Sequence, residues 1–206
     1  GYSVLYLCLS SGLSSTFSAA CLAKDSLKEK YPNLDVFPVD SLAATGGMGV
    51  LIEEALKNRE LGLSVEENYN QILSLVPRIK NWFLVQDLNY LKRGGRISST
   101  TAIFGTMLNI KPILKIDEKG KLTTIGKKRG NKMAVNELVE LFSAHYDSTA
   151  SKIVYICNAD CPDLGDLLAE KLLEKYPDLE IKQATLSPII GAHTGPGMLI
   201  LSHIGK

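Results

Sequence analysis

The segment Ser10–Thr16 carries the clearest chemical signal in this sequence, because five of its seven residues are serine or threonine. It follows an apolar run of strand length and precedes a helical pattern. In a parallel α/β sheet this order places unpaired backbone N–H groups and the positive end of a helix at the carboxyl edge of a strand, where anions bind. A serine that only caps the helix is the structural alternative. A single cap does not need five hydroxyls, so the segment is a candidate anion site.

A second candidate is the segment Ile190–Gly197, which places three glycines and a proline around His193. The sequence predicts a tight loop that leads into a last apolar strand, with His193 at the bend. A histidine there could donate a hydrogen bond to an anion or shuttle a proton. A loop histidine that only bonds to the backbone is the alternative, and the pattern by itself favours that alternative.

Other motifs carry weaker signals. A nucleophile elbow has the pattern G-x-S-x-G, and Gly12–Thr16 lacks the second glycine. A Ser14/His193 acyl-ester hydrolase therefore stays open only as an alternative. The basic turns Lys92–Arg96 and Lys127–Gly130 contain no P-loop pattern. Charged turns are usually just solvated, although a regulatory module that binds another protein through them is a third hypothesis.

Composition limits the classes of function. The 206 residues are 45% hydrophobic and carry a net charge of +1, which argues against a nucleic-acid binder that neutralises phosphates. No apolar run in the sequence approaches the ~20 residues that span a bilayer, so no stable membrane insertion is expected. Four cysteines and three histidines show no metal-ligand spacing. We therefore expect free thiols, no metal and a reducing compartment such as the cytoplasm.

The order of predicted elements indicates an α/β fold that begins with parallel βαβ units. The first part is predicted to contain strands at 4–9 and 35–39, and helices from 17 to Pro32, at 50–60 and from the capping box Ser64–Glu67 to Val76. The first of these helices should bury one face. That face comprises Phe17, Ala20, Cys21, Leu27 and Tyr31.

The pattern of predicted strands and helices changes after Pro77, and we place a domain boundary near 77–81. Residues 1–78 then form the remainder of an amino-terminal parallel α/β domain, and residues 79–206 form a smaller two-layer α/β sandwich. Asp117–Gly120 is a hairpin-turn signal. The predicted strands are at 82–85, 110–116, 121–125, 153–157, 180–187 and 198–203, and the predicted helices at 88–91, 98–108, 131–146 and 163–175.

The sequence opens directly on the strand Val4–Leu9, without an initiator methionine or a basic signal sequence. We expect the chain to be a piece of a longer protein. The parallel sheet is then expected to lack neighbours that would cover its apolar residues.

Several motifs, taken in their order along the chain, resemble those of one family, the DegV proteins, which are bacterial fatty-acid-binding proteins. Each motif is weak alone, but their number and order make the resemblance specific, and it runs nearly from end to end. The motifs are Ser10–Ser14, Val39–Ser41 with the glycines behind it, Asp87–Leu91, Gly94–Ser98, Leu108–Ile113, Arg129–Gly130 and His193–Gly197.

The resemblance implies a parallel α/β domain followed by a smaller α/β domain, with a long acyl chain buried between or beside them. It implies a non-catalytic lipid-binding subunit without a cofactor, which presents a fatty acid such as palmitate to an ATP-dependent fatty acid kinase partner. The family's headgroup positions fall on Ser14 and His193, with Ser15 and Thr194 beside them. A family arginine linked to the kinase falls on Arg129.

Two departures from the family pattern accompany this resemblance. The family's opening segment, which contains a threonine loop that also holds the carboxylate, is absent, so the chain is expected to be an incomplete lipid-binding unit. Ser15 replaces the glycine that usually follows the headgroup serine. Burial of a sixteen-carbon chain would contribute on the order of 10 kcal/mol at ~0.8 kcal/mol per methylene, provided that the carboxylate is paired.

Overall fold

The computed structural model describes residues 3–98 and 109–206. Its first sheet has two parallel strands, β1 (Val4–Cys8) and β2 (Val36–Asp40), which are connected by helix α1 (Thr16–Lys30). Both strands and their parallel pairing confirm the predicted βαβ unit.

The remaining elements largely follow the predicted order. The helix predicted at 98–108 lies, apart from its first residue, outside the described residues, as does Leu108. The elements are α2 (Gly46–Glu60), α3 (Val65–Leu75), a 3₁₀ turn (Val76–Arg78), β3 (Ile79–Leu84), α4 (Leu88–Arg93), β4 (Ile110–Ile116), β5 (Leu122–Arg129), α5 (Asn131–His145), β6 (Ile153–Asn158), α6 (Pro162–Lys175), β7 (Glu180–Thr185), α7 (Pro188–Thr194) and β8 (Leu199–Ile204).

The strands from β3 onward form a second sheet with the order β5-β4-β3-β8-β6-β7. Its neighbouring strands run antiparallel except for β6 and β7, which are parallel. Successive residues of a strand point to opposite faces, and both faces of this sheet are buried. Trp82 and Leu84 pack in one core with Phe142 of α5, and Phe83 packs in the other with Leu91 of α4.

The first turn of α2 lies directly against this second sheet because its glycines carry no side chain. A Cβ on Gly46 would lie 2.7 Å from the Cβ of Tyr155, and one on Gly47 would lie 2.2 Å from the Oδ1 of Asn81. Either contact is closer than real Cβ atoms allow. Further along the same helix, Leu51 packs in the core beneath the first sheet. Helix α2 therefore joins the two sheets.

A polar cluster holds α2 in this position. The carboxylate of Glu53 accepts hydrogen bonds from the Tyr155 hydroxyl (2.8 Å) and from the Lys182 ammonium (2.6 Å). Burial and the neighbouring carboxylate raise the pKa of Tyr155 to about 12. The hydrogen bonds from Lys182 and Tyr155 lower the pKa of Glu53. The carboxylate thus stays charged and the phenol stays protonated at neutral pH.

Two local predictions are confirmed. Ser64 and Glu67 form the predicted capping box, in which the Ser64 N–H donates to the Glu67 carboxylate (2.8 Å) and the Glu67 N–H donates to the Ser64 hydroxyl (3.2 Å). The four cysteines are free thiols, of which Cys8 and Cys157 are buried.

The predicted face of α1 is only partly covered: Phe17, Ala20 and Cys21 are half-buried, whereas Leu27 and Tyr31 are exposed. No residue of α1 is buried. Leu27, which was assigned to the buried face, is 38% exposed, and Tyr31 is 49% exposed. The sheet beneath α1 has only the two strands β1 and β2 in the described part of the chain, and so narrow a sheet cannot cover a helical face.

Two element boundaries also differ from the prediction. Helix α2 begins at Gly46 rather than near residue 50, so the glycines form its first turn instead of a loop. Strand β5 runs to Arg129 instead of ending near 125. Lys127–Arg129 is therefore the end of a strand and not a basic turn. Pairing with β4, which continues to Ile110 opposite Arg129, keeps this polar segment extended.

The buried His203 predicts a pH dependence of stability. Its ring is 1% exposed, its Nδ1 lies 2.9 Å from the Ile204 carbonyl oxygen, and burial lowers its pKa from 6.5 to about 4. Below pH 6.5 the unfolded chain therefore binds a proton that the folded chain does not. The free energy of unfolding should fall between about pH 6.5 and pH 4, by at most about 3 kcal/mol from this group.

Urea unfolding at pH 7 and pH 4.5 measures this loss, with His203→Gln as the comparison because glutamine does not titrate. The variant should be less stable at pH 7 and should lose less stability on acidification than the wild type. Equal losses in the two proteins would show that His203 is not responsible.

Candidate functional site

A largely apolar cavity of about 150 Å³ lies where the loops that follow β1 and β2 meet α4 and α7. Five polar residues contribute to its wall. They are Ser14, Thr45, Arg96, His193 and Thr194. The rest of the wall is apolar and consists of Leu9, Leu13, Ala44, Phe83, Leu91, Leu122, Ile189, Ile190, Met198 and Ile200.

The loop Ser10–Thr16 is held in place from two sides. The buried hydroxyl of Ser10 donates to the Gly120 carbonyl oxygen in the β4–β5 hairpin (2.7 Å), and its N–H donates to the Ala43 carbonyl oxygen (2.9 Å). Gly12 also lies against this hairpin, since an added Cβ would be 2.4 Å from the Gly120 oxygen. These contacts hold the loop against the β4–β5 hairpin, and Leu13 and Ser14 of the loop line the cavity.

Ser14 occupies the wall of the cavity and also stabilises the start of α1. Its Oγ lies 2.8 Å from the Thr16 hydroxyl oxygen and accepts a hydrogen bond from the Thr16 N–H (3.2 Å). If the Thr16 hydroxyl donates in this pair, the hydrogen of the Ser14 hydroxyl stays available for a ligand. Both interpretations of this serine therefore apply: it stabilises the helix start and it faces the cavity.

The structure does not bring Ser15 to the cavity. Ser15 stands at the amino-terminal cap of α1, its side chain makes no capping hydrogen bond, and it is exposed. Of the predicted ligand-binding pair, Ser14 therefore lines the cavity and Ser15 does not. The two side chains point in different directions because the residues are adjacent at the start of a helix.

His193 lies in the last turn of α7, so the prediction that it stands at the bend of a loop is wrong. Pro188 begins this short helix and Gly195, with a φ of 75°, ends it. The imidazole packs on Gly94, where an added Cβ would lie 2.3 Å from Nδ1. The neighbouring Thr194 also lines the cavity, and its hydroxyl donates to the Ile190 carbonyl oxygen (3.0 Å).

Arg96 is a cavity residue that the sequence analysis treated only as part of a basic turn. Its Nε donates to the Leu13 carbonyl oxygen (3.2 Å) and its Nη1 to the Gly94 carbonyl oxygen. It therefore links the serine loop to the turn on which His193 packs. None of the lining residues that the structure describes is acidic, so the cationic Arg96 favours an anionic ligand. Its position within the motif Gly94–Ser98 is the sequence signal that could have found it.

Arg129 lies away from the cavity. It is the last residue of β5, which is the edge strand of the second sheet, and its side chain is exposed. The adjacent Lys128 forms an ion pair with Glu137 of α5 (2.8 Å). This position suits contact with another molecule and does not suit contact with a ligand in the cavity.

The cavity is built to hold a molecule with an anionic end and an apolar body. The hydroxyl of Ser14, the imidazole of His193 and the guanidinium of Arg96 supply polar contacts, and aliphatic and aromatic side chains surround the rest. A serine nucleophile would need the imidazole as its base, and the side-chain partner that the structure gives to the Ser14 hydroxyl is Thr16 rather than His193. A cavity with this lining suits an amphipathic anion.

Comparison with known proteins identifies the family of this chain. The chain belongs to the DegV family: residues 1–205 match the family model described as "Uncharacterised protein, DegV family". A DegV domain-containing protein of Lactococcus lactis is 36% identical over 203 residues, which cover 98% of this chain and 70% of the relative. The chain thus spans about 70% of the length of that relative.

Two solved structures illustrate the likeness of fold. A DegV family protein of Thermus thermophilus, described by its fatty acid binding, is 31% identical with a TM-score of 0.83, and the match covers 99% of this chain and 71% of that one. The fatty acid kinase B3 protein of Streptococcus pneumoniae, loaded with linoleic acid, gives a TM-score of 0.90 at 24% identity over 98% of this chain and 71% of that one. Within residues 3–98 and 109–206, no helix is both long and apolar enough to span a bilayer.

The packing of His193 on Gly94 yields a prediction about the geometry of the site. Gly94→Ala should displace the imidazole, because the new methyl group would overlap Nδ1. The ring resonances of His193 in an NMR spectrum report this displacement. Gly191→Ala is the matched control, since it adds a methyl group to the same helix α7 with nothing within 4 Å. Unchanged His193 resonances in Gly94→Ala would contradict the described contact.

Proposed function

We propose that this protein binds a long-chain fatty acid and presents its carboxyl group to an ATP-dependent fatty acid kinase partner. The carboxylate lies at Ser14 and His193, and the acyl chain enters the apolar cavity, whose volume of about 150 Å³ encloses part of a long chain. The observation that carries this proposal is that Ser14 and the pair His193 and Thr194, which lie about 180 residues apart in the sequence, line one cavity whose remaining wall is mostly apolar.

The energetics of such a ligand fit the cavity. Each buried methylene contributes ~0.8 kcal/mol, so the acyl chain supplies most of the affinity. The carboxylate would cost several kcal/mol if it were buried without partners. The Ser14 hydroxyl can donate to it, and the exposed Arg96 at the cavity wall adds a positive charge that solvent partly screens.

Relatives support the ligand class. The Thermus thermophilus protein is described by its fatty acid binding, and the Streptococcus pneumoniae protein is a fatty acid kinase protein loaded with linoleic acid. We assign this chain the corresponding role of a lipid-binding subunit without catalysis or a cofactor of its own, so that ATP chemistry belongs to the partner. The four free thiols support a reducing location such as the cytoplasm.

Titration with a fluorescent fatty acid tests the ligand and the site. Ser14→Ala and His193→Gln should each weaken binding about tenfold, which corresponds to about 1.4 kcal/mol for one lost hydrogen bond to a charged group. Ser15→Ala is the matched control and should bind as the wild type does, because Ser15 is exposed and lies outside the cavity wall.

Two outcomes would contradict this proposal. One is the absence of any fatty acid binding by the wild type, both in the titration and in mass spectrometry of freshly purified, denatured protein. The other is turnover of a chromogenic acyl ester that Ser14→Ala abolishes, which would favour a Ser14/His193 hydrolase.

The exposed position of Arg129 predicts a separate effect on the partner. Arg129→Ala should leave the affinity for fatty acid unchanged and slow the formation of acyl phosphate by the kinase subunit several-fold, because exposed charges at an interface mainly affect association. Lys128→Ala serves as the control, since Lys128 is paired with Glu137 within the protein. Equal loss of fatty acid binding and phosphorylation in Arg129→Ala would place this arginine in the ligand site instead.

A further inference from the structure

Thr45, which immediately precedes α2, has an unusual backbone conformation. Its φ is 50° and its ψ is −117°. Positive φ angles are rare for residues with a side chain and are especially unfavourable for β-branched ones such as threonine. Leu42, three residues earlier in the same loop, also has a positive φ of 44°. Strained residues of this kind tend to cluster at ligand-binding sites.

The hydroxyl of Thr45 is a second anomaly at the same residue. Its Oγ1 is buried, and it has no hydrogen-bond partner within the described part of the chain. Most buried polar groups in folded proteins are hydrogen-bonded, and each exception needs an explanation. Thr45 thus combines a strained backbone with a buried hydroxyl for which the described residues supply no partner.

Thr45 lies in the wall of the cavity that also contains Ser14 and His193. Together with Leu9 and Ile190 it also borders a second apolar cavity of about 310 Å³. Its Oγ1 is buried, so other atoms of Thr45 line the cavity. Rotation by about 120° around the Cα–Cβ bond moves the hydroxyl to another staggered position.

Hydrogen bonds fix the Thr45 loop relative to the Ser14 loop. The Asp40 carboxylate accepts from the N–H groups of Ser11 (3.0 Å) and Leu42 (3.2 Å), one in each loop. The Ser10 N–H donates to the Ala43 carbonyl oxygen (2.9 Å). A ligand held by the Ser14 loop is therefore held at a constant position relative to Thr45.

We infer that Thr45 is a further carboxylate-binding residue, whose hydroxyl turns into the cavity when a fatty acid binds and donates a hydrogen bond to the carboxylate. A carboxylate accepts several hydrogen bonds, so it can engage Thr45 in addition to Ser14 and His193. The ligand then supplies the partner that the Thr45 hydroxyl lacks. This inference rests on the proposed fatty acid binding and extends it to a residue in a separate segment of the chain.

Thr45→Val is the decisive variant, because valine keeps the shape and the β-branch of threonine and removes the donor. It should be as stable as the wild type or more stable without ligand, since an unpaired buried hydroxyl is lost. It should bind a fluorescent fatty acid about tenfold more weakly. Thr45→Ser keeps the hydroxyl and should bind nearly as tightly as the wild type.

Thermal unfolding without ligand and fatty acid titration are measured for the wild type, Thr45→Val and Thr45→Ser. Weaker binding in Thr45→Val without a loss of ligand-free stability supports the inference. Equal affinity of Thr45→Val and wild type overturns it and leaves the proposed function intact. Parallel losses of stability and affinity overturn it as well, because they indicate a structural role. A wild type that binds no fatty acid overturns the proposed function and this inference with it.

Discussion

The close approach of α2 to the second sheet is the constraint on which the cavity depends. Gly46 and Gly47 lie so near Tyr155 and Asn81 that any side chain at the glycines would overlap them. The helix can pack at this distance only because the two residues lack a Cβ. Its start then carries Ala44 and Thr45 to the cavity wall, while its later residues remain in the core of the first sheet.

The cavity is consequently lined by separate segments of the chain. Ser14 comes from the loop after β1, Thr45 from the loop after β2, Arg96 from the turn after α4, and His193 from α7. Backbone carbonyl oxygens connect these segments, since Arg96 donates to the carbonyls of Leu13 and Gly94. The guanidinium of Arg96 thus connects the loop after β1 to the turn after α4.

The loop after β2 contains two of the four described non-glycine residues with a positive φ. Leu42 and Thr45 adopt positive φ angles within four residues of one another. The cores on either face of the second sheet consist of fully buried apolar side chains such as Leu84, Phe142 and Leu201. Stability that is supplied by these cores allows the loops to keep conformations that are unfavourable by themselves.

The sequence by itself determined most of the elements, because periodicity, capping and turn chemistry act over short distances. It thereby predicted the βαβ unit and the capping box at Ser64, whereas the pairing of Ser14 with His193 came from the resemblance to the DegV family. Only the tertiary structure decided that Ser15 faces solvent, that His193 ends a helix, and that Arg96 lines the cavity. These outcomes depend on which distant segments pack together, here through α2 and the hairpin at Gly120, and a local pattern does not encode such contacts.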